Sequence, residues 1–319
     1  MGSRSFVQAA EQTAHPQSGP RRRPGLTAVL GEQPQQRTFM KVSVRTPVLV
    51  LFLLPSVGLW GSQPASTHGP SRGTLILQGG VGLNRPIASA FVARAGGPQS
   101  RIVVIPTAMV GDAGPPGDWR GHIASRTKED FGVGTVTVLH TLDRSDADAD
   151  SFVEPLRNAT GVWILGGFPE NLVRVYLGTK TEAAIKELLD RGGVVGGESA
   201  GAMIQGSWLD TTDGEWTPEI HHLIQKHRTG AGFGLLTNAA VFPHFDERGP
   251  AGAVKESAAH PDQLAIGIDS ETALIVCGVL GNVVGAGTVS MYDGSGRSAP
   301  NVVILRSGDR YDLSTRRKQ

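Results

Sequence analysis

The chemistry in this 319-residue chain concentrates at Gly197-Glu198-Ser199-Ala200-Gly201. This is a G-x-S-x-G pattern, in which flanking glycines allow a sharp strand-to-helix corner that lifts a serine hydroxyl above a sheet. The same residues also suit an ordinary glycine-rich turn of an α/β protein. A serine becomes a nucleophile only when a base accepts its proton and a third group orients that base. Of the nine histidines, His15 and His68 lie in the leading segment, and His122, His140 and His260 have no motif around them. His221, His222 and His227 cluster, but no carboxylate stands at ligand spacing, so no metal site is expected there. His244 follows the apolar run Ala239-Ala240-Val241-Phe242, at another strand-to-loop junction, where a base for Ser199 would have to sit. A strand-end histidine satisfied by backbone is the plainer alternative.

These residues need a scaffold, and the chain supplies a βαβα rhythm. Strands are expected at Thr74 to Gln78, Ile102 to Pro106, Thr135 to Leu139, Gly161 to Leu165 and Gly193 to Val195. Helices are expected at Pro86 to Ala95, Gly121 to Phe131, Asp146 to Arg157 with its last turn disturbed by Pro155, Lys180 to Arg191, and Ala200 to Trp208. Such alternation implies a mostly parallel sheet covered by helices on both faces, with ligands beyond the strands' carboxyl ends. After about residue 240 the strands at Ala240 to Phe245, Leu264 to Asp269, Thr272 to Cys277, Val283 to Met291 and Val302 to Arg306 read as hairpins finishing one edge of that sheet.

Composition narrows the function classes. Thirty basic side chains balance 29 acidic ones, so charge does not argue for nucleic acid or a membrane surface as partner. The single cysteine, Cys277, excludes an internal disulfide framework and a Cys-cluster zinc site, and its strand pattern predicts a small buried hydrophobe. Residues 1–39 lack apolar periodicity and read as a disordered or mis-assigned leader. Residues 40–66 carry a basic start, an apolar core and a small-residue exit, the pattern of a signal peptide beginning at Met40. The expected product is secreted or periplasmic, with one domain over residues 73–313 and no stable membrane association after leader removal. A homodimer stays open.

Several segments together resemble the cyanophycinase and dipeptidase E family of serine peptidases. They are Gly166-Gly167, Gly192 through Ala202, Gly232-Phe233-Gly234-Leu235-Leu236, His244-Phe245 and Gly267 through Leu274, in that order. The resemblance implies a three-layer αβα sandwich like that of class I glutamine amidotransferases. It also implies a Ser-His-acid triad that cleaves small aspartyl peptides, isopeptides or cyanophycin without metal or organic cofactor. Carried over, Ser199 matches the nucleophile, His244 the base, and the N–H groups of Gly167 and Ala200 the oxyanion hole. Glu215 is the first choice for the acid and Asp213 the second; Asp269 and Glu271 are acidic alternatives that the resemblance makes structural.

Arg248 resembles a substrate-pocket arginine able to hold a carboxylate, or is a loop arginine in solvent. Pro169 and Phe242-Pro243 depart from the cyanophycinase pattern, and Pro243-His244-Phe245 resembles dipeptidase E instead. Glu198, directly before the serine, could repel acidic substrates or favour basic ones. The competing classes are an aspartyl dipeptidase, an amidase, and a non-catalytic binding protein on the same fold.

Overall fold

The computed structural model describes residues 67–82, 84–109, 117–209, 217–218, 221–222, 225, 230, 232–296 and 299–319. The segments expected to be a leader (1–39) and a signal peptide (40–66), together with Asp213 and Glu215, lie outside the described residues.

A nine-stranded sheet forms the backbone of the fold. Its parallel part joins β1 (Thr74–Gln78), β2 (Arg101–Ile105), β3 (Thr135–Val138), β4 (Gly161–Ile164) and β5 (Val194–Glu198), in the spatial order β1-β5-β4-β2-β3. Strands β1, β2 and β4 are near-continuous apolar runs because parallel strands are covered on both faces. On β1, Leu75 and Leu77 enter one core cluster and Ile76 the other, as a two-residue period requires. The first cluster packs beneath α4 (Asp150–Asn158), α5 (Pro169–Tyr176) and α6 (Lys180–Asp190). The second packs beneath α1 (Arg85–Ala95) and α2 (Trp119–Phe131), where Phe91, Phe131 and Trp163 meet with ring centroids 4.8 to 5.4 Å apart. Helix, sheet and helix make the expected three-layer α/β sandwich.

Local signals place the helix ends. Asn84 caps α1 by accepting the Ile87 N–H at 3.1 Å, Pro86 fits the first turn, and left-handed Gly96 closes the helix. Asp118 and Gly132 do the same for α2. The helix expected over Asp146 to Arg157 is instead two, α3 (Arg144–Ala147) and α4, because Ala149 adopts an extended conformation between them. Pro155 sits inside α4 without ending it. The helix expected to run from Ala200 to Trp208 stops early: α7 spans Ala200–Met203. Beyond it the chain swings away so that the Ser207 and Trp208 N–H groups reach the Ala239 carbonyl at 2.9 and 3.2 Å.

The later strands do not all extend the main sheet. β8 (Thr272–Cys277), β9 (Leu280–Gly285), β12 (Arg310–Asp312) and β13 (Arg317–Lys318) continue it antiparallel beside β1. β6 (Ala239–Pro243), β7 (Leu264–Ile268), β10 (Thr288–Asp293) and β11 (Asn301–Arg306) form a separate four-stranded sheet. The strand expected from Val283 to Met291 is therefore split between the two sheets. The break falls at Gly285, where a φ of +126° and a carbonyl of Glu271 lying 2.2 Å from any added Cβ demand glycine. Cys277 ends β8 and is exposed, contrary to the expected buried position.

Candidate active site

Ser199 lies between β5 and α7 with φ +50° and ψ −116°, a backbone state uncommon for a residue with a side chain. The glycines around it are dictated by contacts. A Cβ on Gly196 would lie 2.3 Å from the Trp163 ring, on Gly197 2.3 Å from the Gly201 carbonyl oxygen, and on Gly201 2.1 Å from the Ile164 carbonyl oxygen. The corner is thus held by close packing against β4, and the pattern is a nucleophile-elbow geometry rather than a loose turn.

His244 follows β6 in the left-handed region, φ +53° and ψ +39°. Its Nε2 stands 3.0 Å from Ser199 Oγ, a hydrogen-bonding distance across which a neutral imidazole can accept the hydroxyl proton. The two sheets meet here through β1. The Ser199 N–H donates to the Gln78 carbonyl at 3.1 Å and the His244 N–H to the Gly79 carbonyl at 3.0 Å. Gly79 has no room for a side chain, since a Cβ would sit 2.3 Å from the carbonyl oxygens of both Ile268 and Asp269.

The glycine pair after β4 is also at the corner. A Cβ on Gly166 would lie 3.1 Å from the Ser199 Cβ, and Gly167 has φ +133°, where an added Cβ would lie 2.3 Å from the Ala108 carbonyl oxygen. Among the described residues no protein acceptor takes the N–H of Gly167 or of Ala200. Ala200 opens α7, where N–H groups have no partner within the helix. Both donors thus lack an acceptor among the described residues, one directly after the serine and one directly after Gly166.

Glu198 has a role different from the expected charge selection. Its Oε2 accepts the Gly82 N–H at 3.0 Å, and the backbone of Gly166 also hydrogen-bonds the carboxylate. Burial pushes its carboxyl above the usual carboxylate range, while these two backbone bonds pull it back. Across the β1–β5 register its partner is Gln78, whose Nε2 donates to the Gly82 carbonyl at 2.7 Å. Gln78 and Glu198 thus hold both sides of Gly82 and fix the loop after β1 beside Gly166.

The remaining candidates separate. Arg248 ends α8 (Phe245–Arg248), one turn beyond His244, and its guanidinium is exposed with no ion pair among the described residues. Asp269 is structural: its Oδ2 accepts both the Thr288 N–H at 2.7 Å and the Thr288 hydroxyl at 2.8 Å. Glu271 is exposed beside the β8 start. Sequence reasoning missed Glu247, whose Oε1 lies 3.9 Å from His244 Nδ1, beyond hydrogen-bonding reach. Its position three residues after His244 on a short helix was the available signal. The Ser270 hydroxyl donates to the same Glu247 oxygen at 3.0 Å.

Comparison with known proteins agrees with this geometry. Residues 75–283, which include Gly167, Ser199, His244 and Arg248, match the sequence model of Peptidase family S51. A cyanophycinase from Synechococcus elongatus is 28% identical over 281 residues, covering 81% of this chain and 84% of the relative. A cyanophycinase from Nostoc sp. is 29% identical over 253 residues, covering 73% and 82%. Among solved structures, a peptidase from an acI-B1 Actinobacterium is similar with a TM-score of 0.59 at 26% identity, covering 76% of this chain and 98% of that one. The chain belongs to peptidase family S51 and is a serine-type peptidase.

Proposed function

We propose that this enzyme is a cyanophycinase-like exopeptidase that hydrolyses small aspartyl peptides, isopeptides or cyanophycin through an acyl-enzyme on Ser199. The observation that carries this reading is the 3.0 Å approach of His244 Nε2 to Ser199 Oγ on a strained, glycine-walled corner. Ser199 Oγ attacks the scissile carbonyl while His244 Nε2 takes its proton. The carbonyl π electrons move onto oxygen, and the N–H groups of Gly167 and Ala200 stabilise the resulting oxyanion. Collapse breaks the carbon–nitrogen bond as His244 returns the proton to the leaving amine, leaving an ester on Ser199. Water, deprotonated by His244, then releases the acid and restores the serine. Glu215, or Asp213 in its place, is the proposed orienter of His244 Nδ1.

Substrate anchoring is assigned to Arg248, whose exposed side chain, without an ion pair among the described residues, suits a bidentate grip on a substrate carboxylate. The relatives named cyanophycinase support a substrate built from aspartyl units. The test is product analysis after incubation with cyanophycin, a β-aspartyl-arginine dipeptide and Asp-Xaa dipeptides, with Ser199→Ala as control. Release of dipeptide or free amino acids by the native chain and not by the variant is expected. Equal release by both, or none from any substrate, would overturn the proposal.

A further inference from the structure

The most exposed large apolar side chains among the described residues are Val81, Phe168 and Met109, at 66%, 64% and 54%. Isolated exposed apolar residues are common and need no explanation. These three, however, come from three separate loops, those after β1, β4 and β2, and the loops are joined at the Ser199 corner. The Val81 Cγ1 lies 3.2 Å from the point where a Gly166 Cβ would be, and that same point is 3.1 Å from the Ser199 Cβ. Phe168 directly follows Gly167, and its N–H donates to the Ala108 carbonyl at 2.9 Å. Met109 is the next residue, and its backbone nitrogen lies 2.8 Å from the Cβ position of Gly167.

The rim is anchored through its backbone. Gly82, next to Val81, is held on both sides by Gln78 and Glu198. The Met109 N–H donates to the Pro106 carbonyl at 2.8 Å, and Phe168 is fixed between Gly167 and the proline that opens α5. Apolar groups already positioned beside a reacting serine lose little freedom when a ligand covers them, and covering them removes apolar surface from water at about 25 cal/mol per Å². Glu198, the acidic group nearest the serine in sequence, spends its carboxylate on backbone N–H groups and so imposes little charge preference on the same side.

We propose that Val81, Met109 and Phe168 form an apolar subsite contiguous with Ser199 that receives an aliphatic or aromatic side chain flanking the scissile bond. Good substrates are then small peptides with such a residue next to the cleaved bond. This rests on Ser199 being the nucleophile. The experiment compares kcat/KM of the full chain on two dipeptide panels. One has Asp first and Gly, Ser, Leu or Phe second; the other has Gly, Leu or Phe first and a constant second residue. Labelling by a fluorophosphonate runs in parallel as a readout of the serine that does not depend on the subsite.

The expected result is a preference of about tenfold or more for Leu or Phe over Gly in one of the panels. Phe168→Ser and Val81→Ser should each shrink that ratio several-fold. Normal labelling with flat panels would overturn the subsite while leaving the serine peptidase reading intact. No labelling of folded protein would remove both. A preference that survives both substitutions, or substitutions that change only the sedimentation coefficient, would show that these side chains serve another purpose and would also overturn the assignment.

Discussion

Ser199 and His244 are 45 positions apart and belong to different sheets, yet their backbones hang from consecutive carbonyls of one strand end, Gln78 and Gly79. The 3.0 Å contact between their side chains is therefore set by β1, which pairs with β5 on one side and supplies the docking point for β6 through Gly79. Anything that moves the Gly79 peptide moves base and nucleophile apart.

Gly79→Ala tests that coupling. Its methyl would meet two carbonyl oxygens at 2.3 Å, so the strand end must shift. A loss of about 100-fold in kcat/KM is expected, because small misplacements of reacting groups are that costly. Unchanged kinetics in a folded variant would show that β1 does not set the contact.

Gly167→Ala forces a side chain into φ +133° with its Cβ 2.3 Å from the Ala108 carbonyl oxygen, displacing a proposed oxyanion donor. A fall of about 100- to 1000-fold in kcat is expected, with KM changed far less. Gly82→Ala, which has a positive φ but open space around it, should show no comparable loss.

Glu198→Ala leaves the Gly82 and Gly166 N–H groups without their acceptor. A stability loss of about 1 to 3 kcal/mol is expected by denaturant unfolding, together with lower kcat. Glu198→Gln keeps one carbonyl acceptor and should fall between the two. If Glu198→Ala instead raised activity on acidic substrates without altering stability, charge repulsion would be the better account of this residue.

His140 provides a pH test away from the site. Burial, with a contribution from the Arg120 charge, lowers its pKa from 6.5 to about 4, and its Nδ1 is 2.9 Å from the Thr107 hydroxyl. The unfolded chain takes up this proton near pH 6.5 and the folded one only near pH 4. Between those values the unfolded state binds more protons, so stability is full above about pH 6.5 and declines as pH falls toward 4. His140→Asn should flatten that decline in the thermal midpoint; an identical slope would contradict the assignment.

The parts of the structure legible in sequence are those with local causes. The apolar runs of β1, β2 and β4 and the Ser199 corner each announce themselves within a few residues. The division of later strands between two sheets was not legible, because the β8–β9 hairpin is inserted between β7 and β10 and only long-range pairing reveals it. Helix α5 was left unassigned, although proline at its first turn is compatible with a helix start. The clamp made by Glu198 was hidden for a related reason: its partners, Gly82 and Gly166, come from loops far away in the chain. Cys277 is exposed as the last residue of β8, directly before the turn at Gly278, φ +57°.

The most direct test of the serine mechanism is covalent labelling with a fluorophosphonate, read by intact mass and by peptide mapping. A single adduct on Ser199 is expected, abolished in Ser199→Ala and slowed by about 1000-fold or more in His244→Ala, with both variants folded. Labelling that persists in Ser199→Ala, or a native chain that stays unmodified while folded, would contradict it.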